Sequence, residues 1–308
     1  MNLLGIEIGG TKLQLVAGDA SGRITERLRF SVDRASGGEG IRQRIAEALP
    51  ALIRTHAPAA IGVGFGGPVD WQTGQICCSH QIAGWHDFGL GEWLRSRSGL
   101  PVFVDNDANV AALGEAVHGA GRGRNSVFWI NMGSGVGGGL VADGRLYHGA
   151  KPGEAEIGHL RLDRSGTILE ERCSGWAVDR RLRTAIAANP AGPLAHLAGG
   201  ATSGEARFLA AAVGEGDTAA QGILAEVADD LAFALSHVVQ LFHPQVIVVG
   251  GGLSLVGEPL RAAIASALPR YVMDSFQPGP DIRLAGLGED SVPIGALTLA
   301  ATRLDAGV

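Results

Sequence analysis

Glycine occupies 48 of the 308 positions, about twice its usual ~7% share, and its clustering limits what the chain can become. "GVGFGG" at 62–67, "GSGVGGG" at 133–139 and "VGGG" at 249–252 each follow or open a run of apolar, strand-forming residues. A fourth case stands at the start. There Leu4, Ile6 and Ile8 alternate with Gly5 and Glu7, and Leu13, Leu15 and Ala17 alternate with Gln14 and Val16. This alternation predicts two strands joined by a Gly9-Gly10 hairpin. Glycine in such a turn also lets an anion approach the backbone N–H groups. A plain hairpin needs neither an acid at Glu7 nor Thr11-Lys12 directly after the turn, so two roles, tight turn and phosphate seat, stand open at this point.

The rest of the chain alternates strands with helices. "RITERLRFSV" reads as a third strand, and residues 40–56 as an amphipathic helix with Ile41, Ile45, Leu49 and Leu52 on one stripe. "AAIGVGF" reads as a buried strand, and "LPVFVDND" as another that runs into the helical "ANVAALGEAVHG". Such an order predicts a mostly parallel sheet covered by helices. A second start, "RNSVFWINMGSGVGGGLVADGRLYHG", repeats the plan of residues 3–31. A long helix over about 216–242, a strand in "PQVIVVGGGLS", a helix from about Pro259 and a closing helix in "SVPIGALTLAATRL" finish the chain. A chain of 308 residues exceeds the size at which one core stops growing. Two α/β lobes with a central cleft, hinged near residue 120, are expected.

Composition excludes several classes of partner. With 46% apolar and 18% charged residues the chain can bury a normal core, while a net charge of -6 leaves no basic footprint for nucleic acid. No basic leader with an apolar stretch and cleavage site is present, and no uninterrupted apolar run of about 18 residues, so no membrane partner is expected. Cys77, Cys78 and Cys173 have no metal-ligand spacing and leave an odd thiol, which points to a reducing compartment and a cytoplasmic protein. They read as small buried apolar residues.

The groups capable of chemistry gather at strand ends. Asp105, Asn106, Asp107 and Asn109 stand where a strand yields to a helix. One helix cap requires one such residue; four at the carboxyl end of a parallel strand favour a ligand site. A carboxylate there, near the positive end of a helix, stays ionised and can accept a hydroxyl proton. Glu156, His159 and Glu170 read singly as solvated or capping groups; together with the strand-end pair they supply the hydrogen-bonding equipment for a polyhydroxylated ligand. No G-x-x-x-x-G-K-[ST] loop occurs, which removes the P-loop NTPase reading.

Six motifs in order, over essentially the whole length, resemble the ROK family of actin-like, two-lobed sugar kinases. "GIEIGGTK" resembles its first phosphate motif, "GVGFGGPVD" and the "GW" at 84–85 its sugar-lobe loops, and "VDNDANVAALGEA" its catalytic segment. "GSGVGGGLV" resembles the second phosphate motif, "GEAEIGH" the sugar-binding signature and "VVGGGLS" the adenosine loop. The resemblance implies an α/β actin-like (ribonuclease H-like) ATPase fold. An N-terminal sugar and phosphate lobe would span 1–118, completed by a C-terminal helix at 293–308, and a nucleotide-binding and dimerisation lobe would span 119–292. It also implies ATP-dependent phosphorylation of a hexose, with glucose at C6 the leading substrate and fructose, mannose or an N-acetylhexosamine the alternatives.

By the same resemblance Asp107 is the general base, and Gly67, Asn106, Asp107, Glu156, His159 and Glu170 bind the sugar. Gly9, Gly10, Thr11, Lys12, Gly133, Ser134 and Gly135 line the ATP phosphates, and Gly250, Gly251 and Gly252 the adenosine. Mg2+ is expected through a water on Glu7, where most members have Asp and a fructokinase-like branch has Glu. A homodimer is expected. A sugar-sensing regulator is the alternative of another class; it is disfavoured because the first strand begins about two residues from Met1, without room for a DNA-reading helix-turn-helix.

Two departures bear on the site. Many members carry a C-x-C-G-x-x-G-C run after the histidine and build a structural zinc site with it; here the stretch is "LDRSGTILEERC", so no structural zinc is expected. Trp176 reads as a core tryptophan, with packing in place of the missing knob as the alternative. Trp85 reads as a packing residue with sugar stacking as its alternative, and Gln81 stands where relatives often have Asn. His80 receives no role.

Overall fold

The computed structural model describes residues 1–307 except His80, Pro152 and Glu154; the unassigned His80 therefore lies outside the described residues. The N-terminal alternation forms β1 (Asn2–Ile8) and β2 (Lys12–Asp19), antiparallel in a register that sets Glu7 opposite Gln14 and Ile8 opposite Leu13. β3 (Ile24–Ser31) adds antiparallel to β2. After α1 (Gly37–His56), β4 (Ile61–Phe65) pairs parallel with β1. The short β5 (Val69–Asp70), β6 (Gln75–Ile76) and β7 (Phe88–Gly89) form a small sheet of their own. It was not foreseeable, because two-residue strands carry no period to read. α2 (Leu90–Ser98) leads to β8 (Val102–Asn106), which is parallel to β4 and runs straight into α3 (Asp107–Val117). The sheet order is β3-β2-β1-β4-β8.

The repeated plan then appears as β9 (Ser126–Met132), β10 (Val136–Ala142) and β11 (Arg145–Leu146). Helices α4 (Leu169–Cys173), α5 (Gly175–Ala188), α6 (Pro193–Ala198), α7 (Leu209–Gly214) and α8 (Thr218–Phe242) follow. β12 (Val246–Gly250), α9 (Glu258–Ala267), β13 (Asp281–Leu284) and α10 (Ser291–Asp305) end the chain. The second sheet has the order β11-β10-β9-β12-β13, with β12 parallel to both neighbours.

Two compact units result. The first comprises 1–125, 139–155 and 286–308, and the second 126–138 and 156–285. This differs from the expected division into 1–118 with 293–308 and 119–292. Contacts of Gly139 and His148 join the 139–155 stretch to the first unit: a Cβ on Gly139 would stand 2.9 Å from the Ala108 carbonyl oxygen, and His148 is bonded to Asp105.

In the first unit, the α1 stripe of Ile41, Ile45, Leu49 and Leu52 is buried with Ile6, Ile8, Leu13, Leu15, Val63 and Phe65. Leu297 and Ala300 of α10 join Leu3 and Val16 in a separate cluster. Glycine makes that second packing close: a Cβ on Gly62 would lie 1.9 Å from the Ala296 carbonyl oxygen, and one on Gly295 would lie 1.8 Å from that of Val110. Strands and helices approach there backbone to backbone. In the second unit, Val246, Ile247, Val248 and Val249 are wholly buried, as are Val227, Leu231, Leu235 and Val239 of α8.

Three side chains depart from the sequence reading. Trp176 is 52% exposed, so it is not a core residue; it is the second residue of α5, on the outer side of a turn whose Ala177 and Val178 are buried. Cys77 and Cys78 are half-buried, while Cys173 is buried and its thiol pKa is pushed up, chiefly by burial. Trp85 does pack: it is buried edge-on against Phe65 at 5.1 Å, with the Arg42 guanidinium over its ring.

Candidate active site

In the first unit, strand register and the hairpin turn define one group of residues. The Gly9 N–H donates to the Lys12 carbonyl at 2.9 Å and closes the turn. Glu7, on the strand entering it, meets Lys12 Nζ at 3.1 Å and accepts from Gln14 Nε2 at 2.6 Å. Gln14 is itself wholly buried, and its Oε1 takes donors from Arg27 and Arg29 at 3.2 and 3.1 Å. Burial raises the pKa of Glu7 above the ordinary carboxylate value, opposed by Lys12 and Gln14. Gly10 lies under Gln81, whose side chain occupies the space that a Cβ would fill.

The β8–α3 junction stands beside this turn. Asn106 is the helix cap: its Oδ1 accepts from the Ala108 and Asn109 N–H groups at 2.8 and 3.3 Å, and its Nδ2 donates to the Gly67 carbonyl at 3.2 Å. Capping falls to one residue, and Asp107 takes the first helical position with its carboxylate half-buried. The empty space on Gly66 locates that carboxylate. A Cβ there would be 3.3 Å from Asp107 Oδ2, 3.4 Å from the Ile8 carbonyl oxygen and 3.7 Å from Gly9 Cα. The acid and the glycine turn thus share one small volume, where the helix N-terminus favours an ionised carboxylate. Gly67 must be glycine, because a Cβ would stand 2.7 Å from the Cys78 carbonyl oxygen.

The sequence reading did not find a third component. Asp105, 2% exposed, receives His148 Nε2 at 2.6 Å, the Asn106 N–H at 2.9 Å and Asn109 Nδ2 at 3.0 Å. Asp105 and Asn109 were legible as strand-end polar residues; His148, the partner of Asp105 43 positions away, left no signal in any local spacing. A cavity of about 610 Å3, lined in part by Trp71, Arg95 and Phe103, runs along β8; neither Asp107 nor the glycine turn lines it.

The second unit gathers the remaining candidates around its own hairpin. The Gly133 N–H donates to the Gly135 carbonyl at 2.9 Å, and the Gly175 N–H, opening α5, donates to the Gly133 carbonyl at 2.8 Å. Glu170 Oε2 accepts the Val136 N–H at 2.8 Å, which puts this acid on the turn itself. Glu156 and His159, both exposed, bracket a short helical turn whose Gly158 packs on the Val136 carbonyl. Gly250 makes room for the Trp129 ring, and Gly251 crosses the Met132 backbone with φ of 81°. Gly252 has open space where its side chain would be. Each unit thus carries a glycine turn with a carboxylate close by, the type of backbone that lets an anion approach. Among the described residues, no group of three or more His, Cys, Asp or Glu could hold a metal ion by itself, and no helix is long and apolar enough to cross a membrane.

Comparison with known proteins places this geometry. The sequence profile of the ROK family matches residues 3–303. A glucokinase from Thermotoga maritima is 30% identical over 99% of this chain and 98% of its own. The bifunctional enzyme NanE/NanK of Brucella melitensis is 34% identical over 97% of this chain, which corresponds to 54% of that protein. Among solved structures, a ROK family glucokinase from Streptomyces griseus, in complex with glucose and AMPPNP, aligns with a TM-score of 0.84 at 30% identity, covering 98% of this chain and all of that one.

Proposed function

Because this chain belongs to the ROK family, we propose that it is a hexose kinase whose preferred substrate is glucose, phosphorylated at the C6 hydroxyl with Asp107 as general base. The coarser statement, an ATP-dependent sugar kinase of the actin-like ATPase fold, rests on whole-length relatives named glucokinase and on a neighbour that holds glucose with an ATP analogue. The observation that carries the base assignment is the Asp107 carboxylate, set at the start of α3 beside Gly66 and the Gly9 turn. An ionised acid there takes the proton as the sugar oxygen attacks phosphorus.

Phosphoryl transfer has a loose transition state, so the protein's work is alignment and stabilisation of spread charge. The turns formed by Gly9, Gly10, Thr11 and Lys12 and by Gly133, Ser134 and Gly135 line the phosphates, while Gly250, Gly251 and Gly252 line the adenosine. Asn106, Gly67, Glu156, His159 and Glu170 serve the sugar hydroxyls. Glu7 would hold Mg2+ through a water, since that ion keeps most of its waters, and the ion would supply charge neutralisation at the phosphates. No structural zinc is assigned, and a homodimer is the expected assembly.

Relatives that act on different sugars make the choice of hexose the point to test. A coupled assay of ADP release over glucose, fructose, mannose, N-acetylglucosamine and N-acetylmannosamine should give glucose the highest kcat/KM. A higher value for another sugar replaces glucose; no sugar-dependent ADP release removes the kinase reading.

A further inference from the structure

The start and the end of the segment 148–153 are each fastened to the β8–α3 junction. At its start, His148 Nε2 lies 2.6 Å from Asp105 Oδ2, with both side chains almost wholly buried. At its end, the Gly153 carbonyl accepts Asn109 Nδ2 at 3.0 Å, and the same nitrogen donates to Asp105 Oδ1 at 3.0 Å. Gly153 lies directly against His148: a Cβ there would stand 2.7 Å from His148 Cβ. The imidazole is stacked on Trp71 with ring centroids 4.3 Å apart, and the Arg303 guanidinium lies 4.5 Å from the centroid of the same indole.

We propose that His148 is a positioning residue: through Asp105 it fixes the strand end that carries Asp107, while Asn109 holds the Gly153 carbonyl at that same strand end. The inference rests on the reading of Asp107 as base. Asp105 and Asp107 are two residues apart, and the Asn106 N–H between them donates to Asp105 Oδ1 at 2.9 Å. Three donors converge on one carboxylate and fix its orientation, and the peptide carrying the helix cap is fixed with it. Small errors of placement at a reacting oxygen have large effects on rate.

Two substitutions separate the hydrogen bond from the bulk of the ring. His148→Phe keeps a ring to stack on Trp71 but cannot donate; His148→Gln loses the ring and keeps an N–H donor. The expected result is a fall of about 10–100-fold in kcat/KM for the sugar in His148→Phe, the range found when a supporting partner of an active group is removed. The KM for ATP should stay within about twofold, and His148→Gln should recover most of the loss. Asn109→Ala, which releases the other end of the segment, should show the same split if His148→Phe fails to fold. Equal activity in the Phe and Gln variants, or a loss shared equally by ATP and sugar, overturns the proposal. Asp107→Asn is measured alongside. If it is inactive while His148→Phe matches the parent, only the positioning role fails; if Asp107→Asn turns over like the parent, the base assignment fails instead.

Discussion

Burial works against the charge of Glu7, and the neighbours that oppose this are named: Lys12 and Gln14. An acid whose folded pKa is raised contributes stability below its unfolded pKa, and that contribution disappears as pH rises through the folded value. Above that value the charged carboxylate is the disfavoured form. Glu7→Gln should therefore melt no lower than the parent at pH 7, and any advantage should shrink towards pH 4, while Mg2+-dependent turnover collapses. Thermal melts from pH 4 to 8, paired with a Mg2+ titration of the rate, test both halves; a clearly lower melting temperature at pH 7 would contradict the account. At this scale legibility depended on distance along the chain. Glu7 and Asp107 stood out because each interrupts a strand pattern next to a turn or a helix start. The Asp105–His148 pair could not be read, because 43 residues separate its members and nothing near His148 marks it as buried.

Elements were legible wherever a period was long enough to count. The α1 stripe came out as four buried residues, and the β8–α3 junction lies where the "VDNDAN" run places it. The close packing of α10 was not legible, since a glycine in a strand does not say which helix it admits. That packing gives a prediction. In Gly295→Ala the new Cβ would meet the Val110 carbonyl oxygen at 1.8 Å, and backbone must move; overpacking of this kind costs about 1–3 kcal/mol, read as a lower denaturation midpoint. Glu115, wholly buried, accepts the Ala120, Gly286 and Leu287 N–H groups at 2.8, 3.0 and 2.9 Å and the Ser291 hydroxyl at 2.9 Å. Glu115→Ala leaves the buried Ser291 hydroxyl, a loss of about 1–3 kcal/mol, and three partly buried N–H groups without their acceptor, and should lower the midpoint further than Gly295→Ala. An unchanged midpoint in Glu115→Ala would remove its structural role.

For the whole molecule the sequence conveyed the architecture better than its division. Six ordered motifs pointed to one family, and the family profile covers residues 3–303, yet the grouping of 139–155 with the first unit depended on contacts that no local pattern records. Light scattering should give twice the chain mass if the homodimer forms, and the chain mass alone if it does not. The central claim is that one ionised aspartate takes the proton of the attacking sugar hydroxyl. Its most direct measurement is turnover of Asp107→Asn on the best sugar, with ATP and sugar binding followed separately. The account predicts a kcat lower by about 10²–10⁴-fold, the range for loss of a general base, with both ligands still bound; a kcat within a few-fold of the parent would contradict it.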